Sequence, residues 1–180
     1  MLIFFIIIIY IFVLIVQGPK YYPYYPTLPI YPNNKVESQE VLSYMKRRNK
    51  YYENLFYVTD DSVANAFQKI VNEPLIQLNL IATEKNFYIR TLKNIFNRAR
   101  PEQVNKQIKV LNSKTAQTPA YPSGHAFQAY FLAKVLSKKY KNKVKELWKL
   151  ADDCNMARVY AGLHYLSDGE FSKRLVKKYF

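Results

Sequence analysis

The hydrophobic pattern divides the chain into three unlike stretches. Residues 2–16, LIFFIIIIYIFVLIV, are continuously apolar or aromatic. A helix over residues 1–18, rising about 1.5 Å per residue, reaches roughly 27 Å, close to the roughly 30 Å hydrocarbon core of a bilayer. The run predicts an N-terminal hydrophobic helix serving as an uncleaved membrane anchor. A cleaved signal peptide is the rival, disfavoured because no Lys or Arg precedes the run and Pro19 follows the cleavage triplet Val16-Gln17-Gly18. In residues 19–35, Pro23, Pro26, Pro29 and Pro32 recur at every third position among tyrosines. Polyproline II has three residues per turn, so this Pro/Tyr-rich linker predicts an extended spacer of roughly 50 Å.

From residue 36 to 180 the apolar positions recur at helical spacing. Residues 36–50 form a charged amphipathic stretch. Asp60-Asp61-Ser62 predicts the start of a helix over 63–71, acids at a helix N-terminus being favoured by its dipole. Pro74 opens a further segment, and residues 84–99 carry Ile89, Leu92, Ile95 and Phe96 on one face. Residues 114–122 hold two prolines and read as a loop. The stretch 125–140 is apolar nearly all round, as a central helix is. Asn142 breaks it, and helices over 144–163 and 168–178 follow. No segment alternates with the period of a strand. The prediction is an all-α, compact helical bundle.

Composition narrows the chemistry. The 180 residues suffice for one domain with a core, and 27 Lys and Arg against 13 acids give a net charge of +14. Such a balance suits anionic partners, namely phosphate esters, acidic lipid surfaces or nucleic acid, although a solvated basic surface accounts for most of the lysines. The single cysteine, Cys154, rules out an intrachain disulfide and any Cys/His zinc spacing.

The chain has only two histidines, each in a cluster of reactive residue types. In Pro122-Ser123-Gly124-His125, Ser123 suits a helix N-cap. Gly124 lets backbone approach an anion at the helix N-terminus, with His125 in the first turn. His164 and Asp168 are four residues apart, so the carboxylate can fix one imidazole nitrogen and leave the other to attack; a satisfied core histidine is the plainer alternative. Arg158 falls at the edge of the apolar stripe through Leu147, Ala151, Cys154 and Ala161. It needs either an acidic partner on a neighbouring helix or a bound anion. Upstream, Lys93 is followed after six residues by Arg100-Pro101, and Pro101 disfavours helical geometry at Arg100. Of four glycines, Gly124, Gly162 and Gly169 lie in or beside these clusters.

In order, spacing and residue type, these three motifs together resemble the type 2 phosphatidic acid phosphatase and vanadium haloperoxidase superfamily, and most closely its non-specific acid phosphatase branch. The motifs span residues 93–168. The resemblance implies catalytic roles for three residues: His164 attacks phosphorus, Asp168 supports it, and His125 protonates the leaving alcohol. It implies that Lys93, Arg100, Ser123, Gly124 and Arg158 hold the phosphate oxygens. It implies no metal and no cofactor, with vanadate as a phosphate-mimicking inhibitor. One position departs: the third motif commonly begins Ser-Arg, and here it is Ala157-Arg158.

The expected function is phosphate monoester hydrolysis, with lipid phosphates or pyrophosphates as related substrates. The alternatives are vanadate-dependent halide oxidation and a non-catalytic, membrane-tethered protein binding acidic lipid or nucleic acid. The expected partners are a phosphorylated small molecule or lipid phosphate and, through residues 1–18, a membrane; nucleic acid is not expected. The resemblance implies an extracytoplasmic or lumenal catalytic domain, secreted if residues 1–18 are cleaved.

Overall fold

The computed structural model describes residues 8, 20–24, 27–114 and 116–180. The anchor or signal segment expected over residues 1–18 therefore lies outside the described residues, Ile8 excepted. Among the described residues no helix is long and apolar enough to cross a membrane, and no strand is present.

The helices are α1 (Asn34–Lys46), α2 (Lys50–Asp60), α3 (Ala64–Phe67), α4 (Leu75–Thr83), α5 (Asn86–Phe96), α6 (Pro101–Val104), α7 (Gly124–Lys139), α8 (Val144–Tyr160) and α9 (Leu166–Tyr179). A 3-10 turn at Lys141–Lys143 joins α7 to α8. The stretch read as one amphipathic segment over 36–50 is the single helix α1 and the start of α2. Asn49 divides them, its side chain accepting from the Tyr52 N–H, and Asn33 caps α1 by accepting from the N–H groups of Lys35 and Val36.

The all-round apolar stretch is the centre of the bundle. α7 packs most extensively on α8, and α9 and α4 lie against it as well. Phe127, Tyr130, Leu132 and Leu136 of α7 are buried with Leu147 and Ala151 of α8, Phe67 of α3, Leu78 of α4 and Val176 of α9. A helix surrounded by neighbours keeps little solvent face until its last turn, where Lys138 and Lys139 are exposed, which is why most of its length is apolar. Each such large apolar side chain contributes roughly 1.5–3 kcal/mol on burial.

Two expectations are corrected. Asp60 does not start a helix; it ends α2, where a buried arginine from α8 claims its carboxylate, and only Ser62 serves the next turn by accepting from Ala64 N–H at 3.1 Å. The described part of the 19–35 segment does not stand off as a spacer. Tyr22 exchanges two hydrogen bonds with the Asn97 side chain, at 3.1 and 2.7 Å, and Tyr31 packs over the Arg98 guanidinium at 4.5 Å. Aromatic rings and unpaired backbone groups in a proline-rich stretch find partners on the domain surface more readily than in water.

Candidate active site

The end of α5, the start of α7 and the turn leading into α9 converge at one site. α5 stops at Asn97, whose left-handed backbone (φ 43°) turns the chain sharply and whose N–H donates to the Lys93 carbonyl at 2.9 Å. Lys93 thus sits on the last turn of α5, and its Nζ donates to the Pro119 carbonyl. Because the helix ends there, Arg100 does not project from it two turns on from Lys93. It is reached through an extended backbone before Pro101, as the residue preceding proline requires. Arg100 is buried and multiply tied: Nε donates to Thr118 O at 2.7 Å, Nη2 to Thr118 Oγ1 at 3.0 Å and Nη1 to Leu163 O at 2.8 Å. Nη1 also lies 3.4 Å from His164 Nε2.

Ser123 caps α7, accepting from Ala126 N–H at 3.4 Å. That places Gly124 and His125 in the first turn. A Cβ added at Gly124 would meet only Lys93 Cε at 3.8 Å and Ile89 at 3.9 Å, so the glycine keeps open a space between the helix end and the lysine. Nε2 of His125 lies 3.0 Å from the Asp60 carbonyl. A carbonyl only accepts, so Nε2 carries the hydrogen and Nδ1 of the neutral ring holds the lone pair.

His164 and Asp168 lie on either side of the α9 N-terminus. Gly162, at φ 80°, ends α8 and turns the chain toward α9. His164 Nδ1 donates to Asp168 Oδ2 at 3.0 Å, and the same oxygen accepts Tyr165 N–H at 2.9 Å. Gly169 lets α9 close on α8, since a Cβ there would stand 1.7 Å from Asn155 Oδ1.

Lys93, Arg100, Gly124, His125 and His164 line one cavity of about 190 Å³. Asp168, Arg158 and Ser123 stand behind its wall. Arg158 has found an acidic partner: Nη1 donates to Asp60 Oδ1 at 2.8 Å, and Nη2 to Ser113 Oγ at 3.1 Å. Sequence reasoning missed Thr118, Asn86, Arg90 and Gln128, which complete the cavity wall. It also missed Arg98, which donates to Asp168 Oδ1 at 2.6 Å and to Glu37 Oε2 at 2.5 Å. A guanidinium with no accessible surface leaves no periodic signal. The one available hint was an arginine two residues before Arg100 in a chain segment just past a helix end.

The charges are unbalanced toward positive. Burial pushes the His164 imidazole well below its ordinary value, and Arg100, Lys93 and Arg158 push it further the same way. His125 falls to about 3, first from burial and then from Arg158. Burial and the neighbouring Arg100 lower Lys93 well below the usual lysine value, and burial brings Arg100 to about 10. Burial raises Asp168, opposed by Arg98, the Tyr165 N–H and Lys93. Both imidazoles are thus neutral near pH 7. The cavity favours an anion, which would relieve the mutual repulsion of its cations. Among the described residues, no group of three or more His, Cys, Asp or Glu comes together to hold a metal ion.

The PAP2 superfamily pattern matches residues 74–173, from the residue before α4 into α9, and so takes in every residue of the cavity. The chain belongs to the PAP2 superfamily. Membership indicates a hydrolase of the phosphatase type. No curated protein matches the chain. Helices α1, α2 and α3 precede the PAP2 match, yet Glu37 of α1 and Asp60 of α2 are bonded to arginines within it.

Proposed function

We propose that the protein hydrolyses phosphate monoesters through a phosphohistidine on His164, as an acid-phosphatase-like member of its superfamily. The observation that carries this reading is the state of His164: a neutral, buried imidazole whose Nδ1–H is held by Asp168, leaving Nε2 to attack beside Arg100. Lys93, Arg100 and the N–H groups at the start of α7 hold the phosphate oxygens. Arg158 adds charge from behind the wall, and Ser123 aims the α7 N-terminus. His164 Nε2 forms a bond to phosphorus as the ester P–O bond breaks, and His125, protonated at Nδ1 once the phosphate has entered, gives that proton to the departing alkoxide. His125 then takes a proton from water, whose oxygen displaces His164 from phosphorus and releases inorganic phosphate. No metal or cofactor is required by this chemistry, and vanadate is expected to bind as a phosphate mimic.

A second reading, an amphiphilic phosphate ester such as a lipid phosphate, draws on an apolar groove of about 490 Å³ beside the cavity. Ile89 lines both, and Phe87, Leu92, Leu175 and Phe180 line the groove. Residues 1–18 would then hold the domain at a membrane, on its extracytoplasmic or lumenal face.

The test is hydrolysis by the full-length chain in detergent of p-nitrophenyl phosphate and of phosphatidic acid, scanned from acid to neutral pH. Turnover that survives a chelator, is inhibited by vanadate and is abolished in His164→Ala supports the reading. Absence of turnover on both substrates removes it in favour of a non-catalytic anion-binding protein. Halogenation of a dye with added vanadate, halide and peroxide would replace it with a haloperoxidase.

A further inference from the structure

Behind His164 lies a chain of three charged groups, Asp168, Arg98 and Glu37, of which the proposed chemistry uses only the first. Asp168 accepts from His164 through Oδ2 and from Arg98 Nη1 through Oδ1. Arg98 has no accessible surface, and every arm of its guanidinium is engaged. Nε donates to Asn34 Oδ1 at 2.9 Å, Nη1 also to Ser167 Oγ at 2.8 Å, and Nη2 to the Pro32 carbonyl at 3.3 Å and to Glu37 Oε2. The rings of Tyr165 and Tyr31 cover it at 3.9 and 4.5 Å. Glu37 is also buried, and its carboxylate accepts the Ser167 N–H at 3.3 Å and hydroxyl at 2.6 Å.

This arrangement goes beyond what packing requires. A buried ion triad is seldom favoured over apolar side chains of the same volume, so its presence against the proposed nucleophile calls for a function. Asp168 must remain an acceptor for Nδ1–H while positive charge develops on the His164 ring, whereas burial raises its pKa and so works against the carboxylate. Arg98 supplies the opposing charge. Glu37 supplies a second anion, so that Arg98 does not draw Asp168 away from the histidine. The single Nη1–Oδ1 bond, from a guanidinium whose Nη2 is tied to Glu37, also fixes where the carboxylate points.

We propose that Arg98 and Glu37 are positioning residues that fix the orientation and charge of Asp168, and through it the attacking tautomer of His164, so that helix α1 belongs to the catalytic unit. The proposal rests on the reading of His164 as nucleophile. Glu37 lies outside the matched residues 74–173, so the relay joins the superfamily core to a part of this chain that the core pattern does not cover.

The experiment compares the full-length chain with Arg98→Lys, Arg98→Met and Glu37→Gln, in p-nitrophenyl phosphate kinetics and in proton–nitrogen NMR of histidine-labelled protein. With two histidines in the chain, the His125 signal is an internal control. We expect kcat to fall about tenfold to a hundredfold in Arg98→Met and Glu37→Gln, the range commanded by outer partners of a held histidine, with KM within about threefold. Arg98→Lys should recover part of the loss, and the His164 Nδ1–H signal should move while His125 stays. Unchanged kcat and an unmoved His164 signal in Glu37→Gln overturn the relay. So does a loss of kcat that tracks the melting temperature with both histidine signals moving together. If the wild-type chain turns nothing over while the His164 signal still moves alone, the relay stands and the phosphatase reading falls.

Discussion

The carbonyl of Asp60 accepts a hydrogen bond from His125 Nε2 at 3.0 Å, so the last residue of α2 sets the tautomer of the proposed acid in α7. The ring is neutral there, held at about 3 by burial and by Arg158. An acid for the leaving alcohol must therefore gain its proton when a phosphate enters and reverses the local field. Vanadate or phosphate binding should take up about one proton per site near pH 6. Calorimetry in buffers of different ionisation enthalpy measures this uptake, and His125→Gln should lose it. Binding without proton uptake would assign the acid to another group.

The two histidines also make stability depend on pH. Each has a folded value below its unfolded value of about 6.5, His125 at about 3 and His164 well below 6.5. Between those limits the unfolded chain binds more protons than the folded one. Stability is therefore fully present above about 6.5 and falls with acidification through the window down to about 3. The slope is about 1.4 kcal/mol per pH unit for each histidine. Urea unfolding at pH 5 and pH 7 should show a smaller difference for His125→Gln than for wild type. An equal difference would mean that His125 is not depressed.

Two glycines near the site predict opposite outcomes when changed to alanine. At Gly169 the added carbon meets Asn155 Oδ1 at 1.7 Å, so the buried Asn155 side chain must give way or α9 must shift from α8. Overpacking of this kind costs about 1–3 kcal/mol, read as a drop in melting temperature. At Gly124 the carbon meets only ordinary contacts with Lys93 and Ile89. Gly124→Ala should therefore keep its melting temperature and raise KM, because the methyl fills the space beside Lys93. A Gly124→Ala chain with unaltered KM would place the phosphate elsewhere.

Removing the carboxylate from Asp60 leaves Arg158 buried against Ser113 and the Phe56 ring without its ion-pair partner. Asp60→Asn should cost about 3 kcal/mol, the low end for stripping the partner from a buried charge. Ser113→Ala, which removes a neutral hydroxyl that accepts from Arg158 and donates to Asp60, should cost nearer 1 kcal/mol. Equilibrium urea unfolding separates the two. Equal losses would show that the hydroxyl, rather than the ion pair, holds the arginine.

Helix α7 was legible in the sequence because an all-round apolar run has one stable setting, the middle of a bundle. The pairing of His164 with Asp168 was legible because both ends lie within one turn. The extended backbone at Arg100 followed from Pro101 alone. Arg98, Glu37 and the role of Asp60 were not legible. Their partners lie 61 to 98 residues away along the chain, and no local pattern marks which face of a charged helix will be buried. Asp60 in particular read as a helix start, since acids at an N-terminus are common. The tertiary ion pair with Arg158 overrode that local preference.

The sequence by itself determined the helical class, the central helix and the three motifs, because each depends on neighbours within a turn or on residue type. Only the tertiary structure decided which of the eight candidate residues line the cavity and which stand behind it. It also decided that helices α1 and α2 reach into the site through Glu37 and Asp60. The reason is electrostatic: a buried arginine must find an anion somewhere in the fold. Burial, which only the folded chain creates, determines which arginines those are.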